Sequence, residues 1–274
     1  MEIKGTEKTK DFYNTEGWQS ADTGKTVDGE LFGVKEDGPL RKEMFERKWD
    51  RINALLEDAD KSNVIEVGCG GSPELRIARV FDKYSGTDFS SEGLKVAEKK
   101  LAGDKIKAEF VEADAVALPF KDEVFDVVYS AHMLYHIEDR ASQSAAISEM
   151  LRVLRPNGRL IIATANPRPI LFPMRLMIRV VADMPILSKW ARKLKGPSPI
   201  PYNPAKLSWY HQKLEQCANV QVFNASIAST HFNQKVSEYS GPGKWVWAFF
   251  NYCDKNAPSF SAYLGNYVIV TAQK

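Results

Sequence analysis

The hydrophobic pattern of the chain predicts buried strands that alternate with helices. Four short runs between polar or glycine-containing turns read as strands: residues 64–67, 84–89, 110–111 and 127–129. Residues 92–101 read as a helix, for which Ser90 is the expected N-cap. Apolar positions recur at helical spacing over residues 45–56, which predicts another helix there. Further on, the pattern predicts strands at 160–164, 220–223 and 267–271 and a helix at 207–217.

The segment from residue 64 to residue 72 carries the most informative motif. Its apolar run ends in Gly68 and Gly70, where the missing β-carbons let backbone N–H groups face a ligand. Asp88 follows at the end of the next predicted strand, and a carboxylate at that spacing can accept hydrogen bonds from both ribose hydroxyls. The alternative role for Asp88 is an N-cap of the following helix. The motif predicts a nucleoside site.

The residue after this loop argues against a dinucleotide. A pyrophosphate site on such a sheet needs a third glycine, whereas this chain has Pro73 at that point. Proline fits a helix start but provides no close-packing glycine. A nucleoside with a short side chain, such as S-adenosylmethionine, is therefore favoured over a nicotinamide dinucleotide, and an oxidoreductase is disfavoured.

In these features the chain resembles the class I S-adenosylmethionine-dependent methyltransferases, within the group that acts on small molecules, lipids and sugars. The resemblance extends from residue 63 to residue 164 and rests on four blocks in the family's order: residues 64–72, 86–90, 111–119 and 125–160. It implies an α/β fold with a Rossmann-like seven-stranded mostly parallel sheet, helices on both faces, and residues 267–271 as an antiparallel edge strand. It also implies S-adenosyl-L-methionine as the cofactor and S-adenosyl-L-homocysteine as the product.

The resemblance implies a set of cofactor-binding residues: Glu66, Gly68 and Gly70 for the methionine part, Asp88 for the ribose, Phe89 for the adenine face, Asp114 and the backbone of Ala115 for the adenine edge, and Ser130 for the methionine side. The charged neighbourhood of Asp114 also fits a solvated carboxylate. Ser72, where the family commonly has a third glycine, and Pro73 depart from the family pattern, so the backbone path of the loop is left open.

Two histidines, His132 and His136, follow the fourth predicted strand, where related enzymes often place a base. A hydroxyl acceptor must lose a proton during methylation, and a histidine with an ordinary pKa of about 6.5 is the natural base near neutral pH. His136 stands at the more family-like position, and Tyr135 is a weaker candidate near the substrate. The alternative for His136 is a hydrogen bond to the backbone beside the pocket. No glutamate follows the first histidine and no third ligand is evident, so we predict no metal site.

The chain divides into four predicted segments: residues 1–61 over the cofactor site, a cofactor-binding core at 62–166, an insertion at 167–205, and a C-terminal return at 206–274 that completes the sheet and carries an aromatic insertion. Within the insertion, residues 168–195 carry seven Lys or Arg against one acid, interleaved with apolar residues, which predicts a basic amphipathic lid. Arg175 and Arg179 would share a helical face and meet an anionic group of the acceptor or the headgroups of a membrane. Simple solvation of these charges is the alternative.

Aromatic residues near the two ends of the chain have further expected roles. Phe12, Tyr13 and Trp18 are either hydrophobic anchors or a flap over the cofactor. The aromatic side chains between residues 245 and 252 are expected to add a second wall to the acceptor pocket.

The composition is ordinary for a soluble globular protein of 274 residues, and a net charge of +2 does not suggest nucleic-acid binding. Three scattered cysteines indicate thiols in a reducing compartment. The first residues lack the apolar core of a secretory signal, and the most apolar region is interrupted by charges, so we expect a cytoplasmic protein.

Taken together, the sequence predicts O-methylation of a small metabolite, a sugar or a lipid-linked acceptor. An N- or C-methyltransferase of a small molecule is one alternative. The other is a regulator that binds S-adenosylmethionine without catalysis.

Overall fold

The computed structural model describes residues 5–19, 39–104, 106–169, 200–226 and 242–274. Its centre is one seven-stranded sheet in the order β3-β2-β1-β4-β5-β7-β6. The strands are β1 Asn63–Val67, β2 Lys83–Asp88, β3 Lys107–Glu112, β4 Phe125–Ala131, β5 Leu154–Ala165, β6 Ala218–Ser226 and β7 Tyr267–Gln273. Strands β1 to β5 pair in parallel, so their carboxyl ends meet at one edge of the sheet.

Helices cover both faces of this sheet, as the sequence predicts. They are α1 Gly5–Phe12, α2 Pro39–Leu56, α3 Leu75–Ala78, α4 Ser91–Leu101, α5 Arg140–Val153, α6 Leu207–Lys213, α7 Pro242–Asn256 and α8 Pro258–Leu264. One apolar cluster packs α5 and α6 on one face of the sheet, and a second packs α2 and α3 on the other. Trp49, Ile52 and Leu56 of α2 are buried in the second cluster, which confirms the helical spacing of these positions.

The C-terminal strand β7 corrects one prediction. It is antiparallel, but it lies between β5 and β6 and is not an edge strand. Its residues from Val268 to Ala272 are all buried, as a central strand requires, and β6 occupies the edge instead. The helix predicted at residues 207–217 ends at Lys213.

Helix α2 is fastened to α7 by a group of ionic hydrogen bonds. Arg47 donates to Asp254 Oδ2 over 3.1 Å, and Arg51 donates to Asp254 Oδ1 over 3.1 Å. Ser261 of α8 donates to the same Oδ1 over 2.7 Å. The Asp254 side chain is only 7% exposed, so this carboxylate is a buried anchor for three elements.

Several sequence predictions fall on other parts of the molecule. Most of the predicted lid, with Arg175 and Arg179, lies outside the described residues. Trp245, Phe249 and Tyr252 of α7 are exposed and do not line the cavity described below. The side chains of Trp247 and Phe250 lie outside the described part of the structure, so the second wall stays a prediction. The three cysteines are free thiols. Among the helices of the described ranges, none is long and apolar enough to cross a membrane.

Candidate active site

A cavity of about 310 Å³ opens at the carboxyl ends of β1, β2 and β4. Its walls come from the loop after each of these strands, from the loop after β3, and from the N-terminal elements α1 and α2. The predicted residues that it brings together are Glu66, Gly68, Gly70, Asp88, Phe89, Asp114, Ala115, His132 and His136. The parallel strands explain this convergence, because each of them delivers its last residues to the same edge of the sheet.

The loop after β1 is held in a shape that only glycine adopts easily. Gly68 and Gly70 have φ values of 79° and 50°, in the left-handed region. A β-carbon on Gly68 would lie 2.4 Å from Cγ of Met133, and one on Gly70 would lie 2.5 Å from Cζ2 of Trp18. The N–H groups of Gly68 and Cys69 both donate to the carbonyl oxygen of Thr87. These bonds fix the backbone path that the departures at Ser72 and Pro73 leave open in the sequence.

Asp88 both shapes the loop and faces the cavity. Its Oδ2 accepts the N–H of Gly70 over 2.8 Å, and its Oδ1 accepts the N–H of Ser90 over 2.9 Å. Ser90 is the N-cap of α4, since its hydroxyl oxygen accepts the N–H of Gly93. The capping role weighed for Asp88 therefore belongs to Ser90, and Asp88 lines the cavity beside the glycine loop.

The predicted adenine side of the cavity is formed by Phe89, Asp114 and Ala115. Asp114 is exposed and accepts the N–H of Val116 over 3.1 Å, so its carboxylate is oriented by its own turn. Tyr13 stands edge-on to Phe89 with ring centroids 6.4 Å apart.

Phe12, Tyr13 and Trp18, the aromatic residues near the N-terminus, lie in different environments. Phe12 is 8% exposed and acts as an anchor. Tyr13 and Trp18 line the cavity, stacked on each other with ring centroids 5.4 Å apart. The ring of Trp18 lies against Gly70 and Gly71, and its Nε1 is buried without a hydrogen-bond partner in the described structure. A flap over the cofactor stays a prediction.

Two predicted site residues lie behind the cavity wall. Ser130 is 1% exposed, and its hydroxyl donates to the carbonyl oxygen of Val67 over 2.8 Å. It bonds to the neighbouring strand, and the wall position belongs to Tyr129. Tyr135 is also buried, with its hydroxyl 3.1 Å from Nδ1 of His132. Tyr135 therefore supports a histidine of the cavity without lining it.

His132 sits at the end of β4 in an unusual backbone conformation. Its φ is 60°, which is uncommon for a residue other than glycine and often marks a functional position. Its N–H donates to the carbonyl oxygen of Ala163 over 2.8 Å. Burial lowers the pKa of His132 to about 3, and the positive charges of Lys48 and His136 add to this effect. The imidazole of His132 is therefore neutral at physiological pH.

His136 is oriented by a single backbone carbonyl. Its Nδ1 lies 2.8 Å from the carbonyl oxygen of Pro201, and because a carbonyl can only accept, Nδ1 carries the proton. In the neutral ring Nε2 then carries the lone pair that can accept a proton. Burial lowers the pKa of His136, while the bond to Pro201 opposes the shift. The structure thus contains the hydrogen bond to the backbone that was considered for His136, and the role of this histidine as a base stays a prediction.

The structure adds polar residues that the sequence analysis missed. Lys48 of α2, Glu74 at the N-cap of α3, and Tyr129 of β4 all line the cavity near Glu66. Glu66 Oε2 accepts the hydroxyl of Tyr84 over 2.6 Å and the N–H of Glu74 over 2.9 Å. Burial raises the pKa of Glu66 to about 7 in spite of these bonds. Within the described ranges no three side chains form a metal site.

Comparison with known proteins finds similarity in the part of the chain that contains most of the cavity residues. Residues 65–162 match a family model described as a methyltransferase domain. The fatty-acid O-methyltransferase of Mycolicibacterium smegmatis is 32% identical over 170 residues, which cover 57% of this chain and 58% of the relative. The 27-O-demethylrifamycin SV methyltransferase of Amycolatopsis mediterranei is 34% identical over 135 residues, 46% of either chain. The chain thus spans about half the length of these curated relatives.

A solved structure extends the likeness to the fold. The N-methyltransferase NodS from Bradyrhizobium japonicum, in complex with S-adenosyl-L-homocysteine, superposes with a TM-score of 0.53. The superposition covers 87% of this chain and 89% of that chain at 14% sequence identity. It therefore includes the strands and helices outside the segment that the family model matches.

Proposed function

We propose that residues 65–162, which match a model described as a methyltransferase domain, form a class I S-adenosylmethionine-dependent methyltransferase domain, and that the protein methylates an oxygen atom of a small molecule. The observation that supports the choice of oxygen is the placement of His132 and His136 in the cavity lining after β4, because a hydroxyl acceptor must lose a proton and a neutral imidazole can accept it. Two relatives are named as O-methyltransferases or as acting at an oxygen, which supports the same choice.

The cavity fits the cofactor in both shape and polarity. S-adenosylmethionine consists of adenine, ribose, sulfonium and amino acid in linear order, and the strands β3, β2, β1 and β4 lie side by side in the sheet. Asp114 follows β3, Asp88 ends β2, Gly68 follows β1, and Tyr129 belongs to β4. The order of chemical groups therefore matches the order of strand ends. Glycine at positions 68 and 70 leaves the backbone open to close approach.

When bound, S-adenosylmethionine supplies an electrophilic methyl group on a positively charged sulfur. The protein has to bring the acceptor oxygen in line with that methyl group and to exclude water. His136 accepts the proton of the acceptor hydroxyl on Nε2, so that the oxygen attacks with a full lone pair. Tyr135 and His132 hold each other beside it and keep a second uncharged acceptor at the cavity wall.

The acceptor itself is proposed from the sequence. We propose that it is a metabolite, sugar or lipid-linked molecule with an apolar part and an anionic group, bound with the help of residues 168–195. Arg175 and Arg179 are the residues proposed to meet the anionic group, and contact of this segment with a membrane surface belongs to the same proposal. We also propose that the protein acts in the cytoplasm, as its free thiols favour a reducing compartment.

The test proceeds in two stages. Calorimetry with S-adenosyl-L-homocysteine measures whether the purified protein binds the product of the cofactor. Incubation with cofactor labelled on the methyl group and a panel of hydroxyl-bearing metabolites, sugars and lipids then measures transfer, and mass spectrometry locates the methylated atom. Methylation of nitrogen or carbon alone would contradict the choice of oxygen, and binding without transfer to any acceptor class would favour a regulator.

A further inference from the structure

One end of the cavity is unusually rich in buried polar side chains. Lys48 comes from α2, Glu66 from β1, Glu74 from the N-cap of α3, and Tyr129 from β4, and all four line the same cavity. We call this group the polar end of the cavity. It lies over β1 and β4, on the side away from the ribose and adenine residues of β2 and β3.

Tyr129 supplies a buried hydroxyl group at this end of the cavity. Its ring is 1% exposed, and its hydroxyl is buried without a hydrogen-bond partner in the described structure. Buried polar groups nearly always have a partner, because leaving one unsatisfied costs the desolvation of that group. Since Tyr129 lines the cavity, the missing partner is most simply an acceptor on a bound molecule.

Lys48 supplies a positive charge at the same place. The side chain is half-buried, and protein surrounds its ammonium group closely enough for burial to lower its pKa. The charges of Glu74 and Glu66 oppose that shift. Lys48 lines the same cavity as His132, and its positive charge adds to the lowering of the pKa of that histidine.

We propose that Lys48 and Tyr129 bind the carboxylate of the amino-acid part of S-adenosylmethionine. The inference rests on the proposed function and deepens it, because it names the two donors for the charged tail of the cofactor. A carboxylate accepts a hydrogen bond from a phenol and an ion pair from an ammonium group, which the two residues offer together. Glu66 and Glu74 stand beside them as acceptors for the ammonium group of the same tail.

The test compares two ligands that differ only in this tail. S-adenosyl-L-homocysteine carries the amino-acid part, whereas 5′-deoxy-5′-methylthioadenosine keeps the adenosine and the sulfur without it. Dissociation constants for both are measured by calorimetry on the wild-type protein, Lys48→Met and Tyr129→Phe. Lys95→Met is the matched control, because Lys95 is an exposed lysine that pairs with Glu92 on the surface of α4.

The expected result is selective for S-adenosyl-L-homocysteine. Lys48→Met should weaken its binding by about 10- to 150-fold, the range of hydrogen bonds to a charged group, and Tyr129→Phe by about 10-fold. Binding of methylthioadenosine should change less than about twofold in both variants, as should both affinities in Lys95→Met. Tyr129→Phe removes a single oxygen and keeps the ring, so it tests the contact even if Lys48→Met folds poorly.

Three outcomes would overturn the proposal. An unchanged affinity for S-adenosyl-L-homocysteine in folded Lys48→Met and Tyr129→Phe proteins would remove the carboxylate contact. An equal loss for both ligands would show that the two residues only maintain the cavity. A loss that is larger for methylthioadenosine would place them at the adenosine. Failure of the proposed function looks different, since the wild-type protein would then bind neither ligand.

Discussion

Replacing His136 with alanine tests the chemistry most directly. His136 lines the cavity, and its Nδ1 lies 2.8 Å from the carbonyl oxygen of Pro201, so in the neutral ring Nε2 is the nitrogen that can accept a proton. Removing a positioned general base typically lowers kcat by about 10² to 10⁴-fold. We expect that loss with an unchanged affinity for S-adenosyl-L-homocysteine, because the predicted contacts of adenine and ribose lie at β2 and β3.

The pH dependence gives the same test a second readout. Burial lowers the pKa of His136 from its ordinary value of about 6.5, which favours the neutral imidazole at pH 7. As the pH falls through the lowered pKa, Nε2 becomes protonated and the base is lost. The acid limb of kcat should therefore lie below pH 6.5. If His132 were the base, the limb would move towards its pKa of about 3.

The assay is the rate of methyl transfer from labelled cofactor to an identified hydroxyl acceptor, measured from pH 5 to pH 9. The control is His211→Ala, since His211 is exposed on α6 and lies outside the cavity. A His136→Ala enzyme with the kcat of the wild type and an unshifted acid limb would refute the reasoning. The proposed methyltransferase function would be unaffected by that result, but the rate would then be explained by the proximity of the acceptor to the methyl group and not by a base.

Three further changes test the scaffold around this chemistry. Asp88→Ala should weaken binding of S-adenosyl-L-homocysteine by about 1.5 to 3 kcal/mol, measured by calorimetry, and an unchanged affinity would remove the ribose assignment. Asp254→Ala should lower the free energy of unfolding, measured in urea, by about 2 to 4 kcal/mol, because Arg47 and Arg51, whose side chains are only 21–22% exposed, lose their buried partner. If the effects of Asp254→Ala and Arg51→Met on this free energy were fully additive, the two residues would not interact and the prediction would be wrong. Trp18→Phe should abolish most of the change in tryptophan fluorescence on cofactor binding, and an undiminished signal would place the reporter elsewhere.

The fold could be predicted from the sequence wherever the burial of an element produces a simple pattern of apolar residues. Parallel strands are covered on both faces, so they appear as continuous apolar runs, and β1 and β4 are of this kind. The position of β7 could not be predicted in this way. An apolar run indicates that a strand is buried, but its neighbours depend on pairing with β6, which lies about fifty residues away along the chain.

The site shows the same limit at the level of single residues. Successive side chains of a strand point to opposite faces, so Tyr129 and Ser130 cannot share one environment. The family pattern indicates Ser130, yet the structure directs Tyr129 to the cavity and bonds Ser130 to Val67. Lys48 was missed for a related reason. A lysine beside the buried Trp49 looks like part of a solvated helix face, and only the docking of α2 against β1 and β4 brings it to the cavity.

The packing of α2 also links the C-terminal helix α7 to the wall of the cavity. Arg47 and Arg51 lie one turn apart and hold Asp254 of α7, while Lys48 stands between them in sequence and reaches the cavity. Because a rigid helix keeps its side chains in fixed relative positions, the bonds of Arg47 and Arg51 also help to place Lys48. Loosening Asp254 should therefore weaken the binding of S-adenosyl-L-homocysteine more than that of methylthioadenosine, although Asp254 touches neither. On the proposed contact, the C-terminal helices help to position Lys48 of α2 against the charged tail of the cofactor through Arg47 and Arg51.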